Sequence, residues 1–169
     1  ATTRGALTAR RPGDFLNGMP PNPVQRSILL VVSGVCQGSP GPGGWGYVAC
    51  FPAGLEREGQ GAADETTANR MEITAAIEGF KSLGGKDRGM PVRVVSASQY
   101  LVDGAKGGRD RSANTDLWAK LDAQTKNRSV AWEWEPPNTM LYQSQAYDLA
   151  RRALKRSLKP PAGGAQGSP

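Results

Sequence analysis

Apolar residues along this chain switch between the strand period and the helix period, and each switch marks an element. Residues 27–33, Ser-Ile-Leu-Leu-Val-Val-Ser, are an apolar run of strand length, the pattern of a central strand buried on both faces. Residues 38–44, Gly-Ser-Pro-Gly-Pro-Gly-Gly, predict a turn and residues 45–51 a second strand, so the pair reads as a hairpin with a wide loop. Residues 55–61 predict a third strand, polar as edge strands often are. The period then becomes helical. Asn69 caps a helix, Glu72 completes a capping box, Ile73, Ala76, Ile77, Phe80 and Leu83 mark its buried face, and Gly84-Gly85 ends it. Residues 92–96 are a short strand and 98–104 a short helix; Asn114 caps a further helix with Leu117, Trp118 and Leu121 inward. Residues 129–134 form a strand stopped by Pro136-Pro137; Trp132 and Trp134 share one of its faces and are expected in the core. The last helix covers 144–158, with Ala146, Leu149, Ala150, Ala153 and Leu154 on one side. Three strands, helix, strand, helices, strand, helix predicts an α/β fold with helices packed on a mixed sheet.

Composition divides the chain. The apolar residues fall between 27 and 158, while both ends are rich in Gly, Pro, Ala and basic residues. Residues 1–26 therefore read as an extended basic, Pro-rich arm, 27–158 as the domain and 159–169 as a flexible tail. A net charge of +6 favours an anionic partner such as nucleic acid. No apolar run is long enough to insert in a membrane. The absence of histidine removes the commonest metal ligand and general base. Cys36 and Cys50 lack the spacing of a zinc site and read as buried thiols of a reducing compartment. Residues 1–11, rich in Thr, Ala and Arg and free of acid, suggest a transit-peptide remnant. A mitochondrial matrix location is expected on that basis, with plastid or cytoplasm as alternatives.

Six stretches then occur in one order: residues 34–46 (GVCQGSPGPGGWG), 66–76 (TTANRMEITAA), 96–100 (SASQY), 116–118 (DLW), 132–134 (WEW) and 149–151 (LAR). Together they resemble the type-one ribonuclease H family over about residues 27–154. The resemblance implies a five-stranded mixed sheet, three antiparallel strands followed by two parallel ones, flanked by helices. It also implies hydrolysis of the RNA strand of RNA–DNA hybrids by two divalent metal ions held on four carboxylates. Mg2+ needs hard anionic oxygens, and a metal pair must activate the water and stabilise the leaving oxygen. At the family's four positions this chain has Ser33, Glu72, Ala97 and Tyr147. The family's mobile histidine has no counterpart; Asn138 or Thr139 is nearest. One carboxylate remains, so no metal, no cofactor and no catalysis by the family mechanism are expected. Glu72 is expected to serve the helix start, and Tyr147 to fill the vacated pocket.

The resemblance also implies substrate contacts near Asn69 and Gln99, both present, whereas Ser39 and Ala68 stand where the family usually has asparagine. Residues 104–114 replace the family's basic protrusion, with Lys106, Arg109 and Arg111 in a Gly-rich loop. Further cations lie in the arm (Arg4, Arg10, Arg11, Arg26) and along the last helix and tail (Arg151, Arg152, Lys155, Arg156, Lys159). Such runs neutralise phosphates without reading sequence, although a cation-rich helix C-terminus is also favoured by the helix dipole alone. The expectation is a non-catalytic structural protein docking on ribosomal RNA and neighbouring proteins in a mitochondrial ribosome. Two alternatives stand beside it. One is a divergent metal-dependent ribonuclease for RNA–DNA hybrids that recruits Asp103 or Asp148; the other is a protein-interaction adaptor whose basic tails bind acidic surfaces.

Overall fold

The computed structural model describes residues 26–159. The strands are β1 (Ile28–Cys36), β2 (Gly41–Cys50), β3 (Glu56–Thr66), β4 (Val92–Ser96) and β5 (Val130–Trp134). The helices are α1 (Ala68–Ser82), α2 (Gln99–Ala105), α3 (Thr115–Thr125) and α4 (Leu141–Leu158). They build one sheet of order β3-β2-β1-β4-β5. The β3-β2-β1 pairs are antiparallel, and β1-β4 and β4-β5 are parallel, as the mixed-sheet expectation required. The apolar run of β1 is central because it serves two cores. Ile28, Leu30 and Val32 pack with Ile73, Phe80 and Trp118 on one face. Val31 packs with Ala146 and Leu149 of α4 on the other. The predicted faces of α1, α3 and α4 are all buried.

The glycine-rich stretch departs from expectation. Only a short turn joins β1 to β2, and Gly43 and Gly44 already pair with Cys36 and Val35. A Cβ at Gly44 would lie 2.2 Å from the Ala150 carbonyl oxygen, and one at Gly46 2.6 Å from that of Ala146. These glycines therefore let the α4 backbone lie directly on β2, which is the second meaning of glycine in a strand. G46A should lower stability by at least about 2 kcal/mol through overpacking, measurable by urea denaturation; a loss under about 0.5 kcal/mol would mean that α4 yields easily. β3 also runs beyond Gly61 to Thr66, because this glycine segment of β2 extends its partner.

The helix starts differ too. Thr67, not Asn69, caps α1: its Oγ1 accepts from the Arg70 N–H at 3.2 Å. Glu72 thus forms no capping box. Asn114 precedes α3 in the left-handed region (φ 60°) without a capping bond; its amide instead accepts from Arg70 Nη1 (3.2 Å) and donates to the Tyr100 hydroxyl (2.9 Å). α4 begins at Leu141, earlier than its apolar period suggests, because Gln143 Oε1 accepts from the Thr139 and Met140 N–H groups at 2.9 and 3.1 Å. Trp132 packs on Phe80 with ring centroids 6.1 Å apart. Trp134 does not join the core: it is 41% exposed at the strand's end and its Nε1 donates to the Ala97 carbonyl at 3.0 Å. Cys36 and Cys50 are free thiols and only partly buried. No helix among the described residues is long and apolar enough to cross a membrane. The predicted arm up to residue 25 and the tail beyond Lys159 lie outside the described residues.

Candidate functional site

Parallel pairing of β1 with β4 sets the site. Val31 is in register with Val95, each two residues before Ser33 and Ala97. α1 crosses beneath the end of β1, and α4 crosses from the other side of the sheet. The result is a pocket of about 430 Å3 that gathers Ser33, Glu72, Ala97 and Tyr147, with Asn138 and Gln143 at its wall. The four positions singled out by the family resemblance are thus one site in space.

Glu72 is the interior of that site. It is buried, and its Oε1 accepts from the Gly34 N–H at 2.9 Å while Oε2 accepts from the Ser96 hydroxyl at 3.1 Å. Ser96 Oγ in turn accepts from the Ser98 N–H at 2.9 Å. Gly34 permits this approach, since a Cβ there would stand 2.4 Å from the Glu72 nitrogen. One carboxyl thereby ties β1, α1 and the end of β4 together. Burial pushes its pKa up to about 7, against the two hydrogen bonds that favour the charged form.

These residues do not fit a pair of divalent ions. The single carboxyl is buried and each of its oxygens already accepts one hydrogen bond from the protein, while the Ser33 hydroxyl, the Asn138 and Gln143 amides and the Tyr147 phenol carry no charge to balance a dication. No group of three or more Asp, Glu, His or Cys side chains able to hold a metal occurs among the described residues. Asp103 pairs with Arg109 and Asp148 with Arg151, each at 3.8 Å, and neither lines the pocket. Tyr147 does not fill the vacated space: it is 48% exposed at the rim. Gln143, not foreseen from sequence, braces the far wall, with Nε2 donating to the Glu135 carbonyl at 3.2 Å.

The candidate binding residues separate into groups. Asn69 is exposed in the first turn of α1, three residues before Glu72. Gln99 is exposed at the first position of α2, two residues after Ala97. Arg26 is exposed, but it precedes the opposite end of β1, about 23 Å from Ser33 at the usual strand rise. Arg151, Arg152, Lys155 and Arg156 are exposed on α4, whose opposite face carries the buried Leu149, Ala150 and Ala153. Arg4, Arg10 and Arg11 lie outside the described residues. In the loop after α2, Arg111 Nη1 donates to both carboxylate oxygens of Asp122 (2.9 and 2.8 Å) and its guanidinium lies 4.6 Å from the Trp118 ring centroid; that of Arg109 lies 5.5 Å from the Tyr100 ring centroid. Those guanidinium groups are held by the domain itself. Sequence reading missed the fork of Arg70 onto Asp116 at 3.0 and 2.8 Å, which lowers the Asp116 carboxyl to about 2. No local pattern signals a pair that far apart in the chain.

The RNase H family model matches residues 25–153. Ribonuclease H of Pseudomonas entomophila is 38% identical over 121 residues, 64% of this chain and 79% of that protein. Ribonuclease H of Hydrogenovibrio crunogenus is 39% identical over 143 residues, 76% of this chain and 96% of that protein. Among solved structures, LC11-RNase H1 in complex with an RNA/DNA hybrid superposes with a TM-score of 0.71 at 26% identity, over 79% of this chain and 100% of that one. The N-terminal ribonuclease H domain of a Mycobacterium tuberculosis protein shares the fold, with a TM-score of 0.66 at 23% identity over 78% of this chain and 96% of that one. These findings overturn the expectation of a structural ribosomal subunit. The relatives carry the name ribonuclease H and the structural neighbour holds an RNA/DNA hybrid. Basic, Pro-rich ends are a matter of composition, and composition does not specify an assembly.

Proposed function

The chain belongs to the ribonuclease H family, and on that footing we propose that it recognises RNA–DNA hybrids across the pocket face without hydrolysing them by the two-metal route. The observation that carries the reading is the state of Glu72: the remaining carboxyl is turned inward, and both its oxygens accept hydrogen bonds from the protein. Without anionic ligands, nothing in the pocket lowers the pKa of an attacking water or neutralises a leaving oxygen. Recognition does not need that chemistry. Asn69 and Gln99 remain exposed, three residues from Glu72 and two from Ala97 in the chain, suited to hydrogen bonds with the sugars and phosphates of the hybrid. The net charge of +6 supplies sequence-independent attraction. Arg151, Arg152, Lys155 and Arg156 add to that field from the exposed face of α4, and Arg26 from the far end of β1. LC11-RNase H1, the 26% identical neighbour, is a hybrid-bound protein, which supports hybrid as the ligand here.

A second reading, metal-dependent cleavage of the hybrid, is favoured by the 38–39% identity to proteins named ribonuclease H. It requires carboxylates that the pocket does not contain. A labelled hybrid titrated with the full chain separates the two. Binding should be the same in EDTA and in Mg2+, weaken with salt, and fall roughly tenfold in an N69A/Q99A variant that loses two polar contacts. The hybrid should stay intact. Cleavage in Mg2+ or Mn2+ that E72A abolishes would establish the second reading, and absence of any hybrid binding would remove both.

A further inference from the structure

We propose that the former metal pocket seats an unpaired nucleobase. The inference deepens the nucleic-acid reading above and rests on it. Its starting point is a set of polar groups that the protein does not use. Among the described residues, the side chains of Ser33, Asn138 and Tyr147 make no hydrogen bond to another protein group, and all three line one pocket, Asn138 and Tyr147 from its exposed rim. Gln143, Glu72 and the Ala97 carbonyl are already engaged by protein groups. The pocket therefore presents a hydroxyl, an amide with both a donor and an acceptor, and a phenol to a ligand.

The charge of the pocket selects the class of ligand. No lysine or arginine lines it, and its single carboxyl is directed inward. A phosphate placed there would lose its hydration and gain no cation, which is unfavourable. A neutral heterocycle loses far less on entering. The walls suit a flat ring: Val32, Gly34, Ala97 and Pro137 are apolar or small. A volume of about 430 Å3 falls within the ordinary range of small-ligand pockets, roughly 300–1,000 Å3. Tyr147 stands on α4, a rigid element, with its side chain half exposed at the rim, placed to stack on a base. Asn138 is held in a left-handed turn (φ 62°) just before α4, and a carboxamide pairs with a base edge through two hydrogen bonds. The Ala97 methyl and the Tyr147 ring thus present a surface suited to an aromatic ring rather than to a cation.

Two measurements test this. In the first, the full chain is titrated with hybrids that are fully paired, carry one bulged nucleotide, or carry an abasic site at that bulge. The base-bearing bulge should bind roughly ten times tighter than the abasic one. Y147A should erase the difference and Y147F should keep it. In the second, the Asn138 side-chain amide resonance is followed while adenosine, or inorganic phosphate, is added; adenosine should shift it and phosphate should not. Equal binding of bulged and abasic hybrids, or a shift with phosphate alone, overturns the proposal. If paired hybrid binds and the base adds nothing, only this inference falls. If adenosine binds and paired hybrid does not, the hybrid reading falls instead.

Discussion

Replacing Ser33, Ala97 and Tyr147 together by aspartate, with Glu72 kept, should make the stability of this fold depend on magnesium. The three positions already converge on one pocket with Glu72, so the substitutions place four carboxyl groups around a common volume. In EDTA their mutual repulsion raises each pKa and opposes folding. The triple variant should then melt on the order of 10 °C below the parent, as expected for a loss of a few kcal/mol in a chain of this size. A bound dication reverses the sign of the field. At a hundredfold excess over its dissociation constant it returns about 2.7 kcal/mol, or roughly 5–10 °C at 2–4 °C per kcal/mol. Glu72 is buried and shares its oxygens with Gly34 and Ser96, so recovery should be partial. The parent should show no comparable response, because its neutral donors gain nothing from Mg2+ that water does not already provide the ion. Thermal melts of both proteins in EDTA and in Mg2+ decide the matter. A parent that gains several degrees on adding Mg2+ would show that the pocket still functions as a metal centre. Hydrolysis of a hybrid by the triple variant alone would add that the backbone still holds the catalytic arrangement.

What the sequence could and could not convey follows from the range of the interactions. The apolar run of β1 and the helical periods of α1, α3 and α4 are local patterns, and each named the side chains found in the core: Ile73, Phe80, Trp118, Leu149 and others. The four family positions lie in or within two residues of short motifs, and the fold brings them to one pocket. Gly44 was misread because a glycine that permits a turn and one that admits a helix backbone look alike in sequence; only the 2.2 Å from its would-be Cβ to the Ala150 carbonyl oxygen separates them. Glu72 was misread for a related reason. A capping box and a buried carboxyl have the same spacing from the helix start, and the partners that decide between them, Gly34 and Ser96, sit on other strands. Trp134 had the parity of a core residue but is the last residue of its strand, paired with the last residue of β4, and is 41% exposed.

Glutamine in place of Glu72 should stabilise the protein increasingly as pH rises. The Glu72 carboxyl titrates near 7 in the fold, against an ordinary value of 4.5, because it is buried. Between those values the native state holds a proton that the unfolded chain has released. Stability therefore falls as pH climbs through that window, and the contribution is fully present only below it. The loss amounts to about 3 kcal/mol once pH is above both values. Glutamine has the same length and stays neutral. Its Oε1 can still accept from the Gly34 N–H, and its Nε2 can donate to Ser96 Oγ once that hydroxyl, the donor to Glu72 in the parent, rotates away. E72Q should match the parent within about 1 kcal/mol near pH 5 and exceed it by up to about 3 kcal/mol near pH 9. The difference between the two urea-melt series cancels every other titrating group, so it isolates this one. A constant difference across the range would mean that Glu72 is ionised in the native state throughout, the condition a metal ligand requires. A difference that widens between about pH 4.5 and 7 and levels off above would place the proton on the buried carboxyl below neutrality.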